Sequence, residues 1–297
     1  MLADNDHYGH GDILRAYAGV GSGARIPGRL QHGWNPEAGV PQVNLSDPWR
    51  SFIWSDRNAH KAAAAGGQRT QPIGAPYLYL PVTEPLEPEA NSLLVFPFHG
   101  WERESVGGDF ERYARELEAE VEGAFESVTV CMYWLEYDDP DLRAIFERRG
   151  WAVVTNGHRD DNPRFLYRQR ELIERHALVT SNRVCTAAFY ALASKRPFVL
   201  WGPSMGLSGT DDPDGALFDA WQRSEFPSLV TPLRPQPPLT EDDPRHQLGL
   251  LELGANHRLS PERLRELLGW RGVPLIRGWA LRAWPPLSRT FKRLFGG

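Results

Sequence analysis

Between residues 93 and 201 the chain alternates short, continuously apolar runs with longer segments that carry one apolar and one charged face. The runs Leu93 to Phe98, Val128 to Leu135, Trp151 to Thr155, Ala177 to Thr180 and Phe198 to Trp201 read as strands. Between them, Asp109 to Phe125, Asp141 to Arg149, Arg164 to His176 and Val184 to Ser194 read as helices. Strands apolar on both faces and separated by helices predict an α/β fold with a parallel sheet covered on both sides. The first eighty residues are sparser: a helix over 11–18, strands at Ile26 to Gln31 and Ser51 to Ser55, a helix capped by Asp56 and running to Ala65, and a strand entering a turn at Gln71 to Pro76. After Gly202 the pattern weakens to helices at Asp214 to Arg223, at Glu241 to Leu253 and after Ser260-Pro261. Pro81, Pro85 and Pro88 mark a linker, so the expected organisation is an N-terminal α/β unit over 1–80, a linker over 81–92, a larger unit over 93–255 and closing helices over 256–297 that either return to the N-terminal unit or dock on a membrane.

Composition narrows the function. The 297 residues are 41% hydrophobic and 24% charged with a net charge of -5, which fits a globular chain and argues against a nucleic-acid partner. Cys131 and Cys185 are the only cysteines, too few for a disulfide framework or a cysteine-based zinc site. The acidic, polar start and the lack of any long apolar run make the cytoplasm the expected location. One segment departs from the rest. After Glu266 no acidic residue occurs, while Arg271, Arg277, Arg282, Arg289, Lys292 and Arg293 are interleaved with Trp279, Trp284, Phe291 and Phe295. A basic, aromatic tail of this kind suits peripheral contact of residues 270–297 with the anionic inner face of a membrane.

Ligands of open parallel sheets bind beyond the carboxyl ends of the strands, so the residues there are the candidates for chemistry. His32 and Gly33 follow an early strand; an imidazole at a strand tip can act as a base near neutral pH, or simply bond a neighbouring loop. His99 stands at a similar tip. Ser181 and Asn182 lie between a strand and a helix whose first amides have no intrahelical partner, and with Thr186 they form either a phosphate cradle or an ordinary cap. Asn156, Gly157 and His158 follow a strand in a loop suited to a nucleobase or ribose, or to a plain Asn-Gly turn. Trp34 and Trp54 offer stacking surface for a sugar, or core packing. His7, His10 and Asp12 have metal-ligand chemistry but no second cluster, so no metal is expected.

The order of these pieces resembles GT-B glycosyltransferases, over roughly the span from Gln31 to Trp201. Gln31-His32-Gly33, the Ile73-Gly74-Ala75-Pro76 stretch before the linker, and the donor-side segment LVTSN…TAAFYALASKRP carry the likeness. The segment Q-x-x-H-G of teichoic-acid polyol-phosphate transferases is similar as well. The resemblance implies two Rossmann-like units, the N-terminal one reduced, and inverting, metal-independent transfer in bacterial surface-polysaccharide assembly. No cofactor is implied beyond a nucleotide-sugar co-substrate, and the acceptor would be a glycan or lipid-linked. His32 would be the base; His99, Asn156, Gly157, His158, Ser181, Asn182, Thr186 and Tyr190 would hold the donor; Gly33, Trp34 and Trp54 would face the acceptor. Two departures stand out: Asn182 and Cys185 occupy positions where a second Ser and a glycine would suit phosphate better. Polyol-phosphate transfer and non-catalytic nucleotide-sugar binding are the alternatives.

Overall fold

The computed structural model describes residues 5–46, 48–82, 86–101, 104–160 and 162–272. Among the described residues ten strands occur: β1 Arg29–Leu30, β2 Ser51–Ile53, β3 Thr70–Pro72, β4 Glu89–Val95, β5 Val106–Gly107, β6 Ser127–Met132, β7 Ala152–Thr155, β8 His176–Ser181, β9 Phe198–Leu200 and β10 Gly206–Leu207. The helices are α1 His10–Ala18, α2 Gln42–Leu45, α3 Asp56–Ala64, α4 Phe110–Val121, α5 Trp134–Asp138, α6 Pro140–Glu147, α7 Phe165–Arg175, α8 Thr186–Ala193, α9 Ala216–Glu225, α10 Pro244–Glu252 and α11 Pro261–Leu267.

The chain is α/β, with parallel sheets covered by helices. Five strands form one sheet in the order β7-β6-β4-β8-β9, and three short strands form a second in the order β1-β2-β3. Every pairing in both sheets is parallel. Taken in chain order, the five strands run third, second, first, fourth, fifth, the Rossmann arrangement, and the direction of winding reverses between β4 and β8. The N-terminal unit is small. Its β1 spans only Arg29–Leu30, where the sequence predicts a strand over 26–31, because the Gly28 amide turns back onto the Ile26 carbonyl.

Local capping follows the sequence with small shifts. Ser55, not Asp56, caps α3, its hydroxyl accepting from the Asn58 amide. Asp109 caps α4 and Ser260 caps α11 in the same way. At the other boundary, β4 begins at Glu89, inside the stretch expected to be linker.

One face of the five-stranded sheet packs on α4 and α6, through Tyr113, Leu117 and Phe146. The other face is shared. There Leu94, Val179, Tyr190 and Leu200 form a single cluster with Ile13, Leu30, Phe52 and Trp54 of the N-terminal unit and with Leu264 and Trp270 from the end of the described chain. The Ile73-Gly74-Ala75-Pro76 segment sits in this seam: the Ala75 amide donates to the Leu253 carbonyl, and Tyr77 stacks on Tyr190 of α8 at 4.0 Å. The last described residues return to the N-terminal unit, with Arg265 donating to the Ala18 carbonyl and the Trp270 indole to that of Arg25. Of the basic tail, residues 273–297 lie outside the described residues, and so does the expected membrane contact.

Candidate functional site

Where β4 and β8 part, their carboxyl ends open into a cavity of about 760 Å³. The wall takes residues from both units, including His7, His10, His32, Gly33 and Trp34 on one side and His99, Asn156, Gly157, Ser181, Arg183, Thr186 and Tyr190 on the other. A larger hollow of about 1040 Å³ lies at the amino ends of the strands, near Glu118, Trp151 and His176. Ligands of open parallel sheets bind at such a reversal, which makes the carboxyl-end cavity the candidate site, and the candidate residues that reach a cavity wall reach that one.

The first end of the site is cationic. Helix α8 starts after Cys185 in an extended conformation, and no side-chain oxygen caps it. The positive end of its dipole therefore faces the cavity. Burial pushes the Cys185 thiol up, against the pull of the Ala188 and Ala187 amides and the Ser181 hydroxyl. Beside it Arg183 is clamped between the rings of Phe218 at 3.8 Å and Phe98 at 4.3 Å, with Nη1 donating to the Met205 carbonyl at 3.1 Å. Burial draws the guanidinium down from its ordinary value and the Asp212 carboxylate opposes that; an arginine remains charged at neutral pH. Sequence reasoning passed over Arg183; its signal was a basic residue in the turn directly after a buried strand.

Asn182 takes a different part from the expected one. It is buried off the cavity wall, its Oδ1 accepting from the Phe98 amide at 2.9 Å and its Nδ2 donating to the Pro203 carbonyl at 3.0 Å. The side chain thus ties the turn after β8 to the loops after β4 and β9. Ser181 lines the wall and accepts from the Arg183 amide at 3.2 Å. Thr186 accepts from the Trp34 amide at 2.9 Å, which joins the turn after His32 to the first residue of α8. The approach is close: a Cβ on Gly33 would stand 3.1 Å from Thr186 Oγ1.

The opposite end is built from histidines. A left-handed Tyr8 (φ 58°) and Gly9 (φ 74°) bend the chain just before α1, so that His7, Tyr8 and His10 all reach the wall. His32 is exposed to the cavity, and His7 meets it edge-on with 4.3 Å between ring centroids. The His7 Nδ1 is in turn bonded to Asp160, from the loop after β7. His10 is sealed beneath them, and burial, reinforced by His32 and His7, pushes its pKa down to about 3. Asp12 pairs with Arg15 at 2.8 Å instead of joining the histidines, and among the described residues no group of side chains is arranged to hold a metal ion.

Between these ends lie the groups expected to read a base or ribose. Asn156 is buried at the wall with Oδ1 unbonded, and the Trp134 indole N–H beside the same cavity is also unbonded. Gly157 is left-handed (φ 86°), while His158 stands off the wall behind Trp134, at 4.3 Å. His99 stacks on Tyr133 at 4.2 Å, and its Nδ1 donates to the Gly100 carbonyl at 2.7 Å. Because a carbonyl only accepts, the Nδ1–H tautomer follows, and in the neutral ring Nε2 is an acceptor.

The tryptophans divide. Trp54 is 1% exposed and lies in the shared core off the cavity, which removes it as a stacking surface for sugar. Trp34 reaches the wall at 8% exposure, but its indole is committed to Glu252 at 2.8 Å and its ring to Phe189 at 4.7 Å. The exposed aromatic on the wall is Trp101, 52% accessible, whose ring is oriented by an indole bond to Glu104 at 2.7 Å.

No protein-family model matches the chain, and no curated protein matches it. Among solved structures it is similar to UDP-GlcNAc 2-epimerase from Neisseria meningitidis, bound to UDP-GlcNAc, at 11% identity with a TM-score of 0.35. The match covers 82% of this chain and 61% of the epimerase chain, so this chain spans about three fifths of that enzyme's length. That likeness is too slight to carry an argument about function.

Proposed function

We propose that the protein is a glycosyltransferase that moves a sugar from a nucleotide-activated donor to a glycan or lipid-linked acceptor. One observation carries the reading: a single cavity of about 760 Å³ at the winding reversal has an exposed imidazole, His32, on one wall and a cationic helix start, α8 with Arg183, on the other. A sugar diphosphate needs those two ends. The acceptor oxygen, losing its proton to His32, bonds to the anomeric carbon while the carbon–oxygen bond to phosphate breaks, and its electron pair leaves with the nucleoside diphosphate. Displacement from the opposite face inverts the anomeric centre. The negative charge that develops on the leaving group is met by the α8 amides, Arg183 and the Ser181 hydroxyl, so in this reading the step needs no metal. His99, Asn156 and Gly157 hold the nucleoside, and Trp101 presents a ring face to the acceptor.

The test is a panel of UDP-, GDP-, CMP- and CDP-linked sugars, with CDP-linked polyols as the competing class. Donor binding is read by thermal shift and turnover by release of the nucleotide, since a ligand bound only by the native state raises its melting temperature. The expected outcome is stabilisation by one class of nucleotide-sugar and its turnover in the presence of an acceptor. Stabilisation by CDP-polyol alone would instead favour polyol-phosphate transfer, and donor binding without turnover of any acceptor a non-catalytic protein.

A further inference from the structure

Three features of the cavity wall are left unused by the transfer step, and they converge. Tyr8 holds a left-handed backbone that non-glycine residues rarely adopt, and Gly9 follows it in the same region. A Cβ on Gly9 would stand 2.5 Å from the Pro163 carbonyl oxygen, so the bend is pressed against the loop after β7. At that point the Tyr8 amide donates to the Arg159 carbonyl at 2.6 Å, and His7 bonds through Nδ1 to Asp160. The ring so fixed meets His32 edge-on. A carboxylate from one unit is thus bonded to an imidazole from the chain start, and that ring meets a second imidazole at the strand tip; both rings line the cavity, and His32 is the more exposed of the two.

We propose that His7 and Asp160 act as a positioning pair for His32, a carboxylate–imidazole couple spanning the two units that steadies the imidazolium formed when His32 takes the acceptor's proton. The role given to His32 rests on the transfer reading above. The proton moves only from the acceptor hydroxyl to His32; the pair neither gains nor loses one overall. The Asp160 carboxylate, 35% exposed, offsets part of the new positive charge through the intervening ring and fixes that ring's orientation. Other charged and titratable groups face the same point. Arg159 lies with Nε 3.4 Å from Asp160 Oδ1, His158 Nδ1 accepts from the Asp160 amide, His10 lies sealed beneath the rings, and Arg29 and Arg183 share the cavity wall. With these cations nearby, removal of the carboxylate leaves the His32 imidazolium less favourable.

The experiment follows the imidazole proton resonances of His7 and His32 through pH titration in the full chain, for wild type, Asp160→Asn, His7→Gln and the double variant. Asp160→Asn is expected to lower the His32 pKa by about half a unit or more, and to have no further effect once His7 is Gln, because the coupling runs through that ring. With the turned-over donor, the same change is expected to reduce kcat by about tenfold at unchanged donor KM and to move the acidic limb of the pH profile down, while Asp160→Glu restores part of both. A His32 titration that is identical in wild type, Asp160→Asn and His7→Gln, with melting temperatures preserved, overturns the proposal. The resonances report without any substrate. If no nucleotide-sugar is turned over by wild type while the titrations remain coupled, the pair stands and the transferase reading alone falls.

Discussion

At the scale of single residues, His32 and Arg183 mark the two ends of the site, and their removal should have separable effects. His32→Ala takes away the proton acceptor but no donor contact, so turnover is expected to fall by about 100-fold or more with donor affinity retained, as measured by initial rates beside titration calorimetry. Arg183→Ala should do the reverse. Loss of a charged contact to the diphosphate weakens donor binding by about 2 kcal/mol, roughly thirtyfold in Kd. His32 was visible in the sequence because a strand ran into His-Gly, whereas His7 was visible only as one of three residues, with His10 and Asp12, that share metal-ligand chemistry. Its link to Asp160 spans 153 positions, and no local pattern encodes a pairing of that separation. Asn182 shows the converse: residue type suggested a phosphate ligand, but both ends of its amide are consumed by the Phe98 amide and the Pro203 carbonyl.

Among the elements, α10 and the turn after it pack too closely for side chains at two glycines. Gly249 of α10 lies against α8 so closely that a Cβ there would stand 2.6 Å from Leu192 Cβ. Gly254, left-handed at φ 69°, has no room for a side chain beside the Trp54 carbonyl. Gly254→Ala is accordingly expected to cost about 2 kcal/mol or more, read as a lowered midpoint in urea unfolding, from the backbone conformation and the clash together. A Gly254→Ala protein that unfolds at the wild-type midpoint would contradict this packing. The strands of the larger sheet were legible because burial on both faces writes a continuous apolar run, as in Leu93-Leu94-Val95. The first sheet was harder to read. Strands of two or three residues leave no period to detect, so the extent of β1 was overestimated, and Glu89 to Asn91 of β4 carry no apolar signature that separates them from the linker.

The whole molecule is joined by its core as much as by its cleft. One hydrophobic cluster runs from Ile13 through Trp54 and Tyr190 to Trp270, and within the same seam Glu252 is 2% exposed, taking the Trp34 indole and Arg57 together. Glu252→Ala leaves Arg57 with only Glu225 and the indole with no acceptor, and should destabilise the chain by about 3 kcal/mol in denaturant unfolding. Stability should also depend on pH through His10. Its ordinary value of 6.5 falls to about 3 in the folded state, so the unfolded chain binds more protons between those values. The contribution is full above about pH 6.5 and is lost as pH falls toward 3, and a His10→Phe chain should show a flatter acid limb in its melting temperature. The parallel sheet of the larger unit was legible as spacing, and a return of the closing helices to the N-terminal unit was one of two expectations for them. The merging of the units through one core was not legible, because it depends on contacts such as Trp270 with Arg25 that span the length of the chain. The central claim is that a nucleoside diphosphate binds with its phosphates at the start of α8. Calorimetric titration of UDP, GDP and CDP into wild type and Arg183→Ala tests it most directly. The account predicts saturable binding of at least one of them to wild type and a loss of at least about tenfold in the variant. It is contradicted if none binds, or if binding is the same in both.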